Sequence, residues 1–248
     1  MGRTVVDAVN DADDLLLGAV VDPRVDDVAG SEDLVRSQTV SELPDGVVDV
    51  LVDFTAPGVA NEQLVPALER GFHLVVGTTG LSDEVLSKLA RQSGRGANVL
   101  VAPNFALGAV LLMQFAAQAA RYFPAVEIIE LHHDKKVDAP SGTAMATARH
   151  IAQARDDAGL AVPHDPTTSR ILDGARGGKG DEAVPIHSIR LPGLVAHEEV
   201  LFGGPGETLT IRHDSIDRVS FMGGVLLAIR EIANHPGLTI GLDSLIQR

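Results

Sequence analysis

The apolar residues of the first hundred positions fall in short, nearly continuous runs: LLLGAVVD from Leu15, VVDVLVDF over residues 47–54, FHLVVG over 72–77 and NVLVAP over 98–103. Runs of this length without clean alternation are the pattern of strands covered on both faces, as in a parallel sheet. Helical spacing fills the gaps. Residues 59–70 carry it up to Gly71, and residues 82–92 carry it from a Ser82 cap followed by Asp83 and Glu84, acidic residues that suit the positive end of a helix. Strand and helix therefore alternate, which predicts an α/β doubly wound parallel sheet with right-handed crossovers and ligand contacts at the carboxyl ends of the strands. Those ends are Asp22, residues 53–55, residues 77–80 and residues 102–105.

The rhythm changes near residue 106. Residues 109–121 are apolar nearly all round, through Val110, Leu111, Leu112, Met113 and Phe115, which predicts a buried helix at a boundary between two domains. After it come the strand-like AVEIIELHH, a helix over 142–155, a long Gly- and Pro-bearing stretch, and strand patterns near 184–191, 195–202 and 207–213. This order reads as an α+β domain. Residues 207–213 alternate, with Leu209 and Ile211 on one face and Thr208, Thr210 and Arg212 on the other, as in a sheet with one solvated face. A last helix over 221–234 places Phe221, Val225, Ala228, Ile229 and Ile232 on one stripe and ends at His235-Pro236-Gly237. The expected division is residues 1–106 with 217–248 in the first domain and 107–216 in the second.

A chain of 248 residues, 45% hydrophobic and 22% charged, has the composition of an ordinary globular protein of one large or two modest domains. It has no eighteen-residue apolar run and no secretory pattern in its first twenty residues, so no membrane association and a cytoplasmic location are expected. Cysteine is absent, which removes disulfides, thiolate zinc sites and a cysteine nucleophile. A net charge of −14, no basic arm, no tryptophan and a single tyrosine argue against nucleic acid as a partner.

The densest chemistry lies in ELHHDKKVDAPSGT, residues 130–143, where two histidines and two lysines follow a strand and precede a Ser141-Gly142-Thr143 helix start. His132 and His133 point to opposite faces of an extended strand and no third ligand stands at helical spacing, so no metal site is expected. A solvated polar loop is one reading. The other is a pocket combining proton donors with an anion cradle, because a helix start offers free N–H groups and Lys136 adds a mobile positive charge. Such a pocket suits a small carboxylated substrate that must be protonated. Gly77-Thr78-Thr79-Gly80 likewise has two readings, a tight turn into the Ser82 helix or a strand end that a ligand approaches closely. Ala102-Pro103-Asn104-Phe105 shares that ambiguity. Residues 174–180, GARGGKG, lack the Ser or Thr and the following helix of a phosphate loop, and read as a mobile surface loop.

The segment ELHHDKKVDAPSGTA resembles the dihydrodipicolinate reductase family, whose pattern is a histidine pair, a dipeptide, lysine and V-D-A-P-S-G-T. The resemblance runs from about residue 2 to residue 240. It implies a Rossmann-like domain with a substrate and oligomerisation domain, His132 and Lys136 as catalytic proton donors and acceptors, and His133, Gly142 and Thr143 as holders of substrate carboxylates. It implies cofactor contacts at Gly77, Thr78, Thr79, Ala102, Pro103, Asn104 and Phe105, with Val52-Asp53-Phe54-Thr55 as a further matching segment. Asp22, closing its strand, suits the adenosine ribose hydroxyls, while Arg24 suits a 2′-phosphate, so NADH or NADPH is expected. Arg218, after Asp217, resembles a family position where an arginine supports the substrate; an arginine capping a sheet edge looks the same.

Relatives open with a strand and a G-x-x-G-x-x-G-like loop, of which Met1 and Gly2 resemble the final residues. The opening strand and most of the loop are then expected upstream of this sequence, and a start site assigned too far downstream is favoured over a natural truncation. The implied activity is NAD(P)H-dependent reduction of the imine derived from 4-hydroxy-tetrahydrodipicolinate to tetrahydrodipicolinate, in lysine and diaminopimelate biosynthesis, by a homotetramer. The alternatives are a cofactor-deficient dicarboxylate-binding or regulatory homologue and a different amino-acid dehydrogenase of the same layout.

Overall fold

The computed structural model describes residues 1–25, 34–161, 165–180 and 183–246. Parts of the long stretch after the 142–155 helix, and the last two residues of the returning segment, lie outside these. The chain divides into two compact units, Met1–Phe105 with Phe221–Arg248, and Ala106–Ser220.

The first unit holds α1 (Gly2–Asn10), β1 (Ala19–Val21), β2 (Val35–Ser37), β3 (Val50–Asp53), α2 (Pro57–Glu69), β4 (His73–Val76), α3 (Asp83–Gln92) and β5 (Val99–Val101). Every ladder is parallel, as the apolar runs required. In β4, Leu74, Val75 and Val76 are all fully buried. Consecutive strand residues point to opposite faces, so both faces of β4 are covered. Ser82 caps α3 by accepting a hydrogen bond from the Val85 amide at 3.3 Å. Gly71 ends α2 at φ +87°, a conformation that costs glycine little.

The strands are shorter than the apolar runs. LLLGAVVD yields only Ala19–Val21, and Leu16 is 91% exposed. The parallel strands form two sheets, β1 with β2, and a four-stranded sheet containing β3, β4 and β5 in adjacent order. No ladder joins β1 to β3 among the described residues.

The second unit contains α4 (Leu107–Ala119), β6 (Ala125–His132), α5 (Gly142–Asp157), β7 (Gly178–Lys179), β8 (Pro185–Arg190), β9 (Ala196–Gly204) and β10 (Glu207–Ser215). Its mixed sheet has the order β10-β9-β6-β8-β7, with β6 parallel to β8 and antiparallel to β9. The helices α4 and α5 pack together and meet this sheet. Val126, Ile128 and Glu130 of β6 are buried with Glu198, Val200 and Phe202 of β9 on one face. The opposite face, with Ile129, Leu131 and Leu201, is half-buried. β10 is an edge strand, so Leu209, on the face shared with Phe202, still exposes 37% of its surface.

Three sequence expectations are corrected here. Phe115 on α4 is 48% exposed, so that helix is not buried all round. The 174–180 loop is tied to the sheet: β7 pairs with β8, Arg176 bonds Glu127, and Lys179 reaches Asp165 at 3.1 Å. The last helix is α6 (Met222–Glu231) flanked by 3-10 turns, and Met222 and Gly224 replace Phe221 and Ile229 among its buried positions. It belongs to the first unit, as do β11 (Leu238–Ile240), which pairs with β5, and α7 (Asp243–Ile246).

Candidate active site

β6 carries the main chemical cluster because its inward face changes character toward its end. Val126 and Ile128 are core residues, but the next inward position is Glu130, a carboxylate with no exposed surface. A buried charge must be compensated, and five donors surround this one. Arg190 of β8 gives two hydrogen bonds, each 2.8 Å, one to each oxygen. His132 Nδ1 lies 2.5 Å from Oε2, the Ser141 amide donates at 3.3 Å, and the Ser188 side chain also bonds. Burial alone would raise the Glu130 pKa, but the bonds from His132, Arg190 and Ser188 overrule it and bring it to about 2. An ionised carboxylate is acceptor-only, so Nδ1 of His132 carries the hydrogen and Nε2 of the neutral ring carries the lone pair.

Directly across the antiparallel ladder, Glu198 pairs with Glu130. It is 4% exposed, and its Oε2 has no hydrogen-bond partner among the described residues. Burial first, and repulsion from Glu130 as well, push its pKa up to about 7 against the help of Thr147. The sheet therefore holds two adjacent carboxyls of opposite character, one charged and one neutral below pH 7.

His132 ends β6 and is partly buried, whereas His133 follows the strand and is exposed. Lys136 is paired in this structure: its ammonium lies 2.8 Å from both carboxylate oxygens of Asp138. Ser141 caps α5, accepting from the Ala144 amide at 3.1 Å. Gly142, the first residue of that helix, is open, since a Cβ there would meet nothing within 4 Å. The structure thus brings His132, Lys136, Gly142 and Thr143 into one stretch joining β6 to α5, with His133 at its start. Arg218 is exposed in a 3-10 turn that follows Asp217.

The residues proposed for cofactor lie in the first unit. Asp22, just past β1, accepts a 2.8 Å hydrogen bond from the Arg24 amide, and the Arg24 side chain is 84% exposed. Thr78 is buried and its hydroxyl is committed to Asp53. Gly77 has an internal reason for being glycine, because a Cβ there would lie 2.1 Å from the Phe54 ring. Phe54 in turn packs on Phe105, ring centroids 5.5 Å apart. Ala102 and Phe105 are buried, while Thr79 and Pro103 are exposed and Asn104 is partly so. Asp53, which also accepts from the Thr55 hydroxyl at 3.0 Å, organises this strand end. Asp53 was legible in the sequence as a strand end and as part of the Val52-Asp53-Phe54-Thr55 segment, whereas the roles of Glu130, Arg190 and Glu198 were not.

A parallel α/β unit with an acidic residue and a glycine-bearing turn at its strand ends, in one chain with an α+β unit rich in ionisable groups, has the make-up of a Rossmann-like oxidoreductase. Profiles described as the N-terminus and the C-terminus of dihydrodipicolinate reductase match residues 1–105 and 108–246. A 4-hydroxy-tetrahydrodipicolinate reductase of Mycolicibacterium vanbaalenii is 54% identical, over 99% of this chain and 94% of the relative. One from Beutenbergia cavernae is 53% identical over 98% and 93%. The dipicolinate-bound dihydrodipicolinate reductase of Paenisporosarcina sp. TG-14 superposes with a TM-score of 0.87 and 40% identity, covering 99% of this chain and 95% of that one. The chain belongs to the dihydrodipicolinate reductase family, whose members are NAD(P)H-dependent oxidoreductases.

Proposed function

We propose that the chain catalyses the reaction for which its relatives are named, reducing the cyclic unsaturated imine derived from 4-hydroxy-tetrahydrodipicolinate to tetrahydrodipicolinate in lysine and diaminopimelate biosynthesis. The observation that carries this reading is the Glu130–His132 pair on the same stretch as Lys136 and the open Gly142. The first unit is the dinucleotide-binding domain and the second the substrate-binding and oligomerisation domain.

The residues of the first unit fit a nicotinamide dinucleotide. The Asp22 carboxylate has acceptor capacity for ribose hydroxyls, the exposed Arg24 suits a 2′-phosphate, and Gly77, Thr79, Pro103 and Asn104 present backbone and polar groups at strand ends. Thr78, Ala102 and Phe105 offer main chain alone, their side chains being turned inward. Either NADH or NADPH is accommodated. When bound, the dinucleotide supplies the hydride.

This chain's own groups do the rest. His133, Gly142 and Thr143 hold the substrate carboxylates, using the amides at the start of α5 and its positive dipole end. Lys136, released from Asp138 as a substrate carboxylate arrives, gives the proton that completes reduction. His132, its Nδ1–H fixed by Glu130, exchanges a proton at Nε2. No helix among the described residues is long and apolar enough to cross a membrane, and a cytoplasmic homotetramer is the proposed form. The half-buried face with Ile129, Leu131 and Leu201 supports assembly through the second unit.

The test is Lys136→Ala and His132→Gln, assayed for turnover and for binding of dipicolinate. Loss of turnover on the order of 10²–10⁴ with binding retained is expected of proton-transfer groups. Turnover within a few-fold of wild type in both would remove these residues from the mechanism.

A further inference from the structure

His132 and Lys136 are each held by a carboxylate, and one side chain reaches both holders. Arg190 is the last residue of β8 and stands opposite His132 in the parallel ladder. Its guanidinium gives two 2.8 Å bonds to Glu130, which takes the Nδ1–H of His132. The Nη2 that bonds Glu130 Oε1 also gives a 2.7 Å bond to the carbonyl of Asp138, whose carboxylate clasps Lys136. Nη1 also bonds the Ile189 carbonyl at 2.8 Å, which fixes the plane of the fork.

We propose that Arg190 is a positioning residue for the reaction, setting the Glu130–His132 and Asp138–Lys136 pairs as one assembly. The inference rests on the reading of His132 and Lys136 as the proton-transfer groups. Its physical basis is that a fully buried carboxylate stays ionised only beside a fixed positive charge with matching geometry. Ionised, Glu130 accepts from Nδ1–H and so selects one tautomer of His132; protonated, it selects neither. The bond to the Asp138 carbonyl ties the turn carrying Lys136 to the same guanidinium. Lysine at 190 would keep the charge but lose the fork and the simultaneous reach to both partners.

An arginine that merely braced the sheet would leave the tautomer of His132 and the coupling between sites untouched, and the test uses that difference. The full chain with Arg190→Lys, and a Glu130→Gln/Arg190→Met double variant that removes the ion pair without stranding either charge, are compared with wild type. Nitrogen NMR of ¹⁵N-histidine-labelled protein, assigned with His132→Gln, reads the tautomer. We expect Nδ1–H in wild type and loss of that preference in both variants. Turnover should fall roughly 10²-fold, the scale of a small misplacement of reacting groups, with KM changed far less. Arg190→Lys placed on His132→Gln should cost much less than it does alone, because the two act on one group. A retained Nδ1–H tautomer, turnover within a few-fold of wild type, or fully additive losses would each overturn the proposal. If wild type itself showed no turnover, the reductase reading would fall, while the tautomer measurement would still decide the part played by Arg190.

Discussion

Replacing Glu198 by glutamine tests the buried carboxyl pair where its consequence is largest, in the pH dependence of stability. The ordinary glutamate value of 4.5 rises to about 7 at Glu198, first through burial and then through repulsion from Glu130. Between those values the folded chain keeps a proton that the unfolded chain has released. Folding therefore binds protons in this window, and stability falls as pH rises through it. Below 4.5 both states are protonated and the effect vanishes; above 7 it is complete, at about 3 kcal/mol from the separation of the two values. Glutamine is nearly isosteric, does not titrate, and its side-chain oxygen can accept from the Thr147 hydroxyl as Glu198 Oε1 does. Urea unfolding followed by circular dichroism at pH 5 and pH 8 should show E198Q gaining about 2–3 kcal/mol on wild type between the two conditions. Glu130 does not confuse the result. Its pKa is lowered to about 2, so its contribution is present above 4.5 and is lost only as pH falls toward 2. Parallel stability curves for E198Q and wild type from pH 5 to pH 8 would refute the neutral-acid account of Glu198.

Two further outcomes follow from the geometry of the first unit. Arg24→Ala should raise KM for NADPH roughly tenfold, the worth of one lost charge-assisted hydrogen bond, and leave KM for NADH nearly unchanged; equal effects on both would contradict the assignment of Arg24 to a 2′-phosphate. Gly224→Ala should destabilise by about 1–3 kcal/mol or more, because its Cβ would lie 2.1 Å from the Phe105 carbonyl oxygen and 2.8 Å from Leu242 Cδ1, and an unchanged unfolding midpoint would show that α6 shifts freely.

β4 and β5 were legible because their apolar runs recorded burial on two faces, and the second sheet was legible through alternation such as that of β10. What escaped had a physical reason in each case. α1, whose buried Val5 and Val9 stand four residues apart, spans only nine residues and went unread, and β2 is a three-residue VRS strand whose place comes from pairing with β1. β11 and α7 are similarly short. At the site, His132, Lys136 and the α5 start were legible because they are neighbours in sequence. Arg190 and Glu198 lie 60 and 68 residues from Glu130 and reach it only through strand register. One signal was available: Glu130 occupies the same alternating face as Val126 and Ile128, and a charge on a core-facing position calls for a buried partner. Nothing local gave that partner's identity. Gly77 shows a reason the sequence could not print, since a Cβ there would lie against the Phe54 ring.

The most direct test of the central claim is oxidation of NADH and NADPH by the purified chain, with the imine substrate generated in place from pyruvate and aspartate semialdehyde. Substrate-dependent oxidation with at least one nucleotide is expected, abolished when either precursor is omitted. Binding of dipicolinate without oxidation of either nucleotide would contradict it and make the chain a dicarboxylate-binding homologue.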